Sequence, residues 1–142
     1  KGQELVLTPH EGEAARLLGW KTEDVHRNRI EAAREVVSRY GATVVLKGAE
    51  TITVSSDGSR VYRNLTGNPF MAMGGMGDLL SGAIGARWAY IKGDPFIAAA
   101  STVWLHGKAS DTLIAECSDP SIANTARAIG SLRVRLDGAA VQ

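Results

Sequence analysis

The spacing of apolar and polar residues changes several times along the chain and predicts an alternation of strands and helices. Short apolar runs rich in β-branched residues predict strands at residues 5–8, 43–46, 51–54 and 60–63. Apolar residues at helical spacing, with capping residues and closing glycines, predict helices at residues 11–18, 22–40, 78–91, 95–115 and 122–132. Residues 133–142 fit either a short strand or a frayed tail.

The order of these segments predicts an α/β fold. A strand, two helices and a second strand over residues 5–46 are typical of a parallel crossover, because parallel strands need a long connection. Residues 51–63 predict a hairpin around a turn at residues 55–58. We therefore expect a mainly parallel sheet flanked by helices. Thr22 is the expected cap of the second helix, and helix 78–91 is expected to be buried because its small residues allow close packing.

Composition and charge exclude several classes of function. The chain has 142 residues, of which 44% are hydrophobic and 22% charged, as expected of a soluble globular domain. A net charge of +1 favours neither nucleic acid nor an acidic membrane as a partner. The longest apolar run, at residues 96–105, is too short to span a bilayer. Cys117 is the only cysteine and has no disulfide partner in the chain, so we expect a cytoplasmic location.

Residues 64–81 contain the most informative local pattern. Gly74, Gly75 and Gly77 precede an acid, Asp78, at the predicted start of a helix. A glycine-rich turn at a helix N-terminus presents free N–H groups and the positive end of the helix dipole, which suits a phosphate. An acid beside a bound phosphate suggests a general base that accepts a proton from the attacking group. The alternative is a tight turn in which Asp78 only caps the helix.

Two further polar positions follow predicted strands. His10, with Glu11 and Glu13, comes after the first strand, and Lys47-Gly48 comes after the second. The carboxyl ends of parallel strands meet at one edge of the sheet, where α/β proteins bind ligands. The sequence therefore predicts that these residues and the glycine-rich turn form one site. Glu11 and Glu13 are also well placed to favour the dipole of helix 11–18.

Three motifs occur in a fixed order: TPHEGE at residues 8–13, VVLKGAET at residues 44–51 and TGNPFMAMGGMGD at residues 66–78. In this order and spacing they resemble the ADP/ATP-dependent NAD(P)H-hydrate dehydratases, a branch of the ribokinase-like superfamily. Residues 105–111 are also similar to the pattern of that family. The resemblance implies a ribokinase-like fold and an enzyme that repairs hydrated nicotinamide cofactors, with ADP or ATP and Mg²⁺ as cofactors.

The resemblance also implies residue roles. Asp78 would be the catalytic base, and His10 and Asp78 would contact the hydrated dinucleotide NAD(P)HX. The adenine nucleotide would be bound by eight residues, namely Lys47, Gly48, Ala49, Glu50, Thr51, Gly74, Gly75 and Gly77. The terminal phosphate of the nucleotide would be transferred to the ring hydroxyl and then eliminated. No protein ligand set for a metal is visible, as is usual for Mg²⁺ that accompanies a nucleotide.

The resemblance is incomplete in two respects. Phe70 stands where the family usually has glycine, and Met73 stands where it usually has a small polar residue, so we expect a narrower loop. We expect residues 1–142 to be the C-terminal part of one domain whose N-terminal half supplies further strands. Without that half the sheet would have an exposed edge. A homo-oligomer is possible.

Two other functions stay open at this point. A small-molecule kinase of the same superfamily, acting on a vitamin precursor or a sugar, would use the same anion site and base. Alternatively, the chain is a non-catalytic fragment that only binds nucleotide. We expect His106 to be an ordinary core histidine, since it lies in an apolar helix. His26 and the arginines of helix 22–40 are expected to form a solvated face.

Overall fold

The computed structural model describes residues 4–139, and the side chains of residues 4–136. The four strands lie in one sheet in the order β1-β2-β3-β4. In chain order the elements are β1 (Val6–Leu7), α1 (Glu11–Leu18), α2 (Thr22–Arg27), α3 (Arg29–Tyr40), β2 (Thr43–Leu46), β3 (Ile52–Val54), β4 (Val61–Arg63), a 3₁₀ turn (Pro69–Met71), α4 (Met76–Ile91), α5 (Pro95–Ala115) and α6 (Ile122–Ala139).

The sheet combines one parallel and two antiparallel pairings. β1 runs parallel to β2, with Val6 opposite Thr43, which confirms the predicted crossover. β2 pairs antiparallel with β3, and β3 pairs antiparallel with β4. The α/β class is confirmed, but the sheet is not mainly parallel within residues 4–139. The loops after β2 and β3 are short, and short loops join antiparallel neighbours.

The core lies on both faces of the sheet. Val44 and Leu46 of β2 pack with the buried side chains of α1 to α3, whereas Val45 packs with Leu80, Ile84 and other residues of α4 and α5. Successive side chains of a strand point to opposite faces, so β2 contributes to both clusters. All of β2 is buried for this reason. The result is a sheet between two helical layers.

The predicted helix at residues 22–40 is two helices. It breaks at Asn28, whose side chain donates a hydrogen bond to the carbonyl of Asp24. Asparagine competes for backbone groups in this way, which disfavours a continuous helix. Thr22 lies inside α2, and Lys21 is the N-cap residue without a side-chain bond, so the prediction that Thr22 caps the helix is wrong. Because of this break, α3 begins at Arg29, which lies close to the end of β2.

Two other helices differ from prediction. α4 is only partly buried, through Met76, Leu80 and Ile84, and a methyl group built on Gly82 or Gly85 would meet no atom within 4 Å. α6 continues to Ala139 where a strand or a frayed tail was predicted, and residues 140–142 lie outside the described part of the chain. The bounds of α1, β2 and α5 are as predicted.

Candidate functional site

A cavity of about 500 Å³ lies beyond the end of β2. It is open to solvent on one side and is bounded by two loops and by helices α4 and α5. The loop of residues 47–51, which we call the lysine loop, forms one wall, and residues 66–68, the asparagine loop, form another. A smaller cavity of about 290 Å³ between β4, α4, α5 and α6 is lined by no residue of the three motifs.

The lysine loop is held in place by Arg29, the first residue of α3. The guanidinium group donates hydrogen bonds to the carbonyls of Leu46, Lys47 and Glu50 at 3.0–3.2 Å and also binds the carboxylate of Glu11. The Arg29 side chain is only 15% exposed. The prediction that the arginines of this segment form a solvated face is therefore wrong for Arg29. It is partly buried because it donates hydrogen bonds to the loop carbonyls and pairs with the carboxylate of Glu11.

Gly48 is required by the close approach of this arginine. A methyl group at Gly48 would lie 2.6–2.9 Å from the guanidinium atoms of Arg29. The amide groups of Gly48, Ala49 and Glu50 have no hydrogen-bond acceptor within residues 4–139. Arg29 thus occupies the carbonyls of the loop and leaves its N–H groups available to a ligand.

The asparagine loop is held by α5. Asp111 accepts hydrogen bonds from the backbone N–H of Gly67 and from the Asn68 side chain, both at 2.9 Å. The Thr66 hydroxyl bonds to the carbonyl of Trp104 at 3.0 Å. A methyl group at Gly107 would lie 2.3–2.7 Å from atoms of Thr66, so only glycine lets the helix approach this closely. Residues 104–111 therefore position the loop, which gives a structural reason for the family pattern found there.

Residues 74–77, which we call the glycine turn, form the start of α4. Gly75 is the N-cap with φ 92°, a backbone conformation that favours glycine. A methyl group at Gly77 would lie 3.1 Å from the Lys47 ammonium nitrogen. A cation thus lies beside the N-terminus of a helix, where the free N–H groups and the dipole are also positive. This end of the cavity is suited to an anion.

The side chain of Asp78 lies in the first turn of α4 and is exposed. It makes no hydrogen bond or ion pair within residues 4–136. The turn that holds it is tied to the end of β1, because the hydroxyls of Thr8 and Ser81 are 2.9 Å apart and Ser81 also bonds to the carbonyl of Gly77. Asp78 is therefore free to accept a proton at the outer side of the anion site.

His10 begins α1 as part of a capping box. Its Nδ1 accepts the N–H groups of Gly12 and Glu13 at 3.1 and 3.3 Å, so the neutral ring holds its proton on Nε2. Glu13 in turn accepts the backbone N–H of His10 at 2.7 Å, and this bond lowers the pKa of its carboxyl. Lys47 Nζ lies 3.7 Å from Glu13 and contributes to that shift. The structure thus brings His10, Glu13, Lys47 and Gly77 together.

The predicted nucleotide contacts are divided between the cavity and its surroundings. The cavity is lined by Lys47, Gly48, Ala49, Thr51 and Gly77. Four of the remaining predicted site residues lie outside the lining, namely His10, Gly74, Gly75 and Asp78.

Glu50, the fifth predicted residue outside the lining, is committed to another element. Its carboxylate accepts two hydrogen bonds from Arg63 on β4 at 2.8 and 2.9 Å, and the first of the causes that lower its pKa is this pair. The Glu50 side chain therefore connects the lysine loop to β4, outside the cavity.

The two departures in the loop, Phe70 and Met73, do not narrow the cavity. Phe70 is 60% exposed and Met73 is 40% exposed, and neither belongs to the lining. Met71 lines the cavity instead, with its sulfur 3.0 Å from the position of a methyl group on Gly67. The 3₁₀ turn at Pro69–Met71 directs Phe70 outward, so the prediction of a narrower loop is wrong.

His106 lines the cavity from α5, although we expected an ordinary core histidine. The residue is buried, but its Nε2 has no hydrogen-bond partner among the described residues. Burial lowers the pKa of His106 from 6.5 to about 4. Sequence reasoning missed His106, Arg29 and Asp111 as site residues. Only the family pattern at residues 105–111 pointed to this part of α5.

Neither a metal cage nor a membrane segment is found in the described residues. No group of three or more His, Cys, Asp or Glu side chains within residues 4–136 could hold a metal ion. Among the helices described, none is long and apolar enough to cross a bilayer. The cytoplasmic location and the possible homo-oligomer stay predictions.

Comparison with known proteins agrees with the motifs. The sequence profile of a family described as NAD(P)H-hydrate dehydratase matches residues 1–129. An ADP-dependent (S)-NAD(P)H-hydrate dehydratase of Neisseria meningitidis is 46% identical over 110 residues, which are 77% of this chain and 36% of the relative.

Two solved structures share the fold. One is the ADP/ATP-dependent NAD(P)H-hydrate dehydratase of Bacillus subtilis, co-crystallised with ATP and Mg²⁺ and soaked with CoA. It matches with a TM-score of 0.84 and 30% identity over 93% of this chain and 49% of its own. The other is a ribokinase-like superfamily protein of Enterococcus faecalis, with a TM-score of 0.76 and 29% identity over 92% of this chain and 44% of its own.

These matches place the chain within part of a longer architecture. It spans about half the length of the structural neighbours and about a third of the Neisseria relative. The family profile nevertheless matches most of the chain, and residues of the VVLKGAET and TGNPFMAMGGMGD motifs line one cavity. The fold is ribokinase-like, and the chain belongs to the NAD(P)H-hydrate dehydratase family.

Proposed function

We propose that this chain is the C-terminal part of a domain that dehydrates hydrated NADH or NADPH at the expense of ADP or ATP. The terminal phosphate of the nucleotide is transferred to the hydroxyl of the hydrated nicotinamide ring and is then eliminated. The observation that supports this most strongly is the position of the Lys47 ammonium beside Gly77 at the N-terminus of α4. A lysine and a helix N-terminus together suit a phosphate in transfer.

The nucleotide binds between the lysine loop and the glycine turn in this proposal. The free N–H groups of Gly48, Ala49 and Glu50 contact the nucleotide, and Lys47, Thr51 and the glycine turn hold its phosphates. Gly74 and Gly75 act by shaping the turn, since they do not line the cavity. Mg²⁺ fits a site without a protein cage, because this ion retains waters and binds mainly through phosphate oxygens. Mg²⁺ would lower the charge of the nucleotide phosphates.

The hydrated dinucleotide binds on the outer side, near His10 and Asp78. Asp78 has no competing partner in the described residues, so its carboxylate is free to take the proton of the ring hydroxyl as that oxygen attacks phosphorus. The His10 ring is 54% exposed and has its proton on Nε2, 3.4 Å from the Glu13 carboxylate, because its Nδ1 is used in capping α1. His10 is therefore a hydrogen-bond donor toward the dinucleotide.

The rest of the domain covers two surfaces of this chain. The free edge of β1 has no paired strand within residues 4–139, and Leu5 beside it is 44% exposed. The face of α4 that contains Gly82 and Gly85 is exposed although small residues favour close packing. The structural neighbours are about twice this length, and chain corresponding to their unmatched part is the proposed source of these contacts. That covering half also completes the dinucleotide site around Asp78.

The experiment uses the full-length protein. Hydrated NADH is incubated with ADP or ATP and Mg²⁺, and recovery of NADH absorbance is followed. Recovery supports the dehydratase, whereas a stable phosphorylated product without recovery would show a kinase. The comparisons do not favour the kinase.

Asp78→Ala tests the proposed base. General-base catalysis contributes about 10²–10⁴ in rate, so kcat should fall by at least about 100-fold while ADP affinity is retained. Asp24→Ala is the matched control, because Asp24 is also an exposed acid in the first turn of a helix, α2, away from the cavity. Full turnover by Asp78→Ala would remove Asp78 from the mechanism.

A further inference from the structure

His106 is an exception among the buried polar residues of α5. Thr102 is buried on the same helix, and its hydroxyl bonds to the carbonyl of Ala98 at 2.7 Å. Ser110 is also buried and accepts a hydrogen bond from Asn68 at 3.0 Å. His106 is 6% exposed, yet its Nε2 has no partner among the described residues. Such an exception needs an explanation, because an unpaired buried polar atom lowers stability.

The neighbouring polar groups are already committed to one another. The Asn64 amide donates to the carbonyl of Thr66 at 2.8 Å, and the Thr66 hydroxyl lies within hydrogen-bond distance of both Asn64 and the Trp104 carbonyl. Asn64 and Thr66 line the same cavity as His106. The imidazole is therefore available to form a hydrogen bond with a ligand in the cavity.

The surroundings of His106 indicate the chemistry of that occupant. Val103, His106 and Gly107 lie on one face of α5, and Met76 and Leu80 line the cavity from α4. The imidazole is neutral at physiological pH, since burial lowers the pKa of His106 to about 4. A neutral ring gives no charge attraction to phosphate, whose suitable partners are Lys47 and the glycine turn. An apolar wall with one neutral hydrogen-bonding group suits a heteroaromatic ring.

We propose that His106 recognises the nucleotide base, by a hydrogen bond between its free ring nitrogen and a polar atom on the edge of the purine. The proposal rests on the proposed function, in which this cavity binds an adenine nucleotide. His106 then determines base specificity and takes no part in phosphate transfer. Nε2, which has no partner among the described residues, gains one when the nucleotide binds.

The test separates binding of the base from binding of the phosphates. Binding of ADP and of inorganic tripolyphosphate to the full-length protein is measured by calorimetry for the wild type, His106→Leu and His106→Gln. His106→Leu should weaken ADP by about tenfold or more and tripolyphosphate by less than about twofold, since each 1.4 kcal/mol is tenfold. His106→Gln, which keeps a hydrogen-bonding group, should lie between the wild type and His106→Leu.

Thermal unfolding without ligand distinguishes a binding role of His106 from a purely structural one. Leucine removes an unpaired buried nitrogen, so the Tm of His106→Leu should be equal to or above that of the wild type while ADP affinity falls. Thr102→Val is the matched control, because Thr102 is buried on α5 but does not line the cavity. It should leave ADP affinity unchanged.

Each outcome bears on the proposal separately from the catalytic function. Unchanged ADP affinity in His106→Leu would overturn it even if the wild type repairs hydrated NADH. A wild type that binds ADP through His106 but restores no NADH would contradict only the proposed function. If His106→Leu does not fold, nitrogen NMR of the wild-type imidazole decides. Its signals should shift with ADP and stay with tripolyphosphate, and equal signals in both would overturn the proposal.

Discussion

The lysine loop and the asparagine loop face the same cavity but are anchored by opposite charges. Arg29 holds the lysine loop through three carbonyls, whereas Asp111 holds the asparagine loop through a backbone N–H and a side-chain amide. A cation occupies acceptors and leaves donors free, and an anion does the reverse. The choice of anchor therefore determines which backbone groups remain for a ligand.

This difference explains why the predicted nucleotide contacts are concentrated in the lysine loop. Its free N–H groups and Lys47 form a donor surface that is complementary to the acceptor atoms of a nucleotide. The asparagine loop has fewer free donors and acts mainly as a wall. The comparison can be tested by removing each anchor, and the expected effects differ in size.

Removing the anchor of the lysine loop should have the largest effect. Arg29→Met leaves three carbonyls without their donor, and leaves the half-buried carboxylate of Glu11 with the exposed His26 ring at 3.2 Å in place of the guanidinium. Breaking such a pair costs about 4 kcal/mol in the free energy of unfolding, measured with urea. ADP affinity should fall with it. Arg34→Met is the control, because Arg34 is exposed on the same helix, and an equal loss there would show that Arg29 is no special anchor.

Acid should weaken the protein through His106, which lies on α5 and lines the cavity that both loops face. The pKa of His106 is about 4 in the folded protein, and its ordinary value is 6.5. Between these pH values His106 is therefore protonated in the unfolded chain but not in the folded protein. The free energy of unfolding therefore falls as pH is lowered from 6.5 to 4, by roughly 3 kcal/mol. Urea unfolding at several pH values should show this loss in the wild type and not in His106→Leu. Parallel profiles for both proteins would contradict the expectation.

Adding a methyl group where α5 packs against the asparagine loop should lower the free energy of unfolding by less than this. Gly107→Ala places a methyl group within 2.3–2.7 Å of Thr66, including its backbone, so the loop must move. Overpacking of this kind costs about 2 kcal/mol, measurable by thermal or urea unfolding. Gly130→Ala is the control, because a methyl group there meets no atom within 4 Å in α6 and alanine favours helix. Gly130→Ala should be neutral or stabilising.

Removing the charge of the second anchor should have the smallest effect. Asp111→Asn keeps the shape of the side chain and loses one charge-assisted acceptor for Gly67 and Asn68. The free energy of unfolding should fall by about 1 kcal/mol. Amide exchange at Gly67 should become faster while exchange in the lysine loop stays the same. Faster exchange in both loops would show that the two anchors are not independent.

Much of the local structure followed from sequence because its causes are local. The β-branched apolar run at residues 43–46 predicted a strand, and apolar residues at helical spacing predicted the helix at residues 95–115. The motifs predicted a site around the lysine loop and the glycine turn. A cavity lies between them, and the binding roles of the residues stay a prediction. Their adjacency follows from the parallel crossover, which brings the ends of β1 and β2 to one edge.

The anchors could not be predicted in this way because their partners are distant in the chain. Arg29 bonds to carbonyls 17–21 residues away, and Asp111 bonds to the loop 43–44 residues away. Apolar periodicity indicates which face of a helix is buried but does not say which loop a polar residue on that helix will meet. Arg29 and His106 were assigned to the wrong class for this reason.

The sequence by itself determined the elements, the motifs and the membership of a family, because these depend on spacing along the chain. The tertiary structure decided which backbone groups are left free. Packing of α3 against the sheet uses the carbonyls of the lysine loop, and packing of α5 against the asparagine loop uses its donors. Burial in the same packing leaves His106 neutral and one of its nitrogens without a partner in residues 4–136. Which polar groups find a hydrogen-bond partner depends on residues that are distant in the chain, so only the tertiary structure shows which groups remain free.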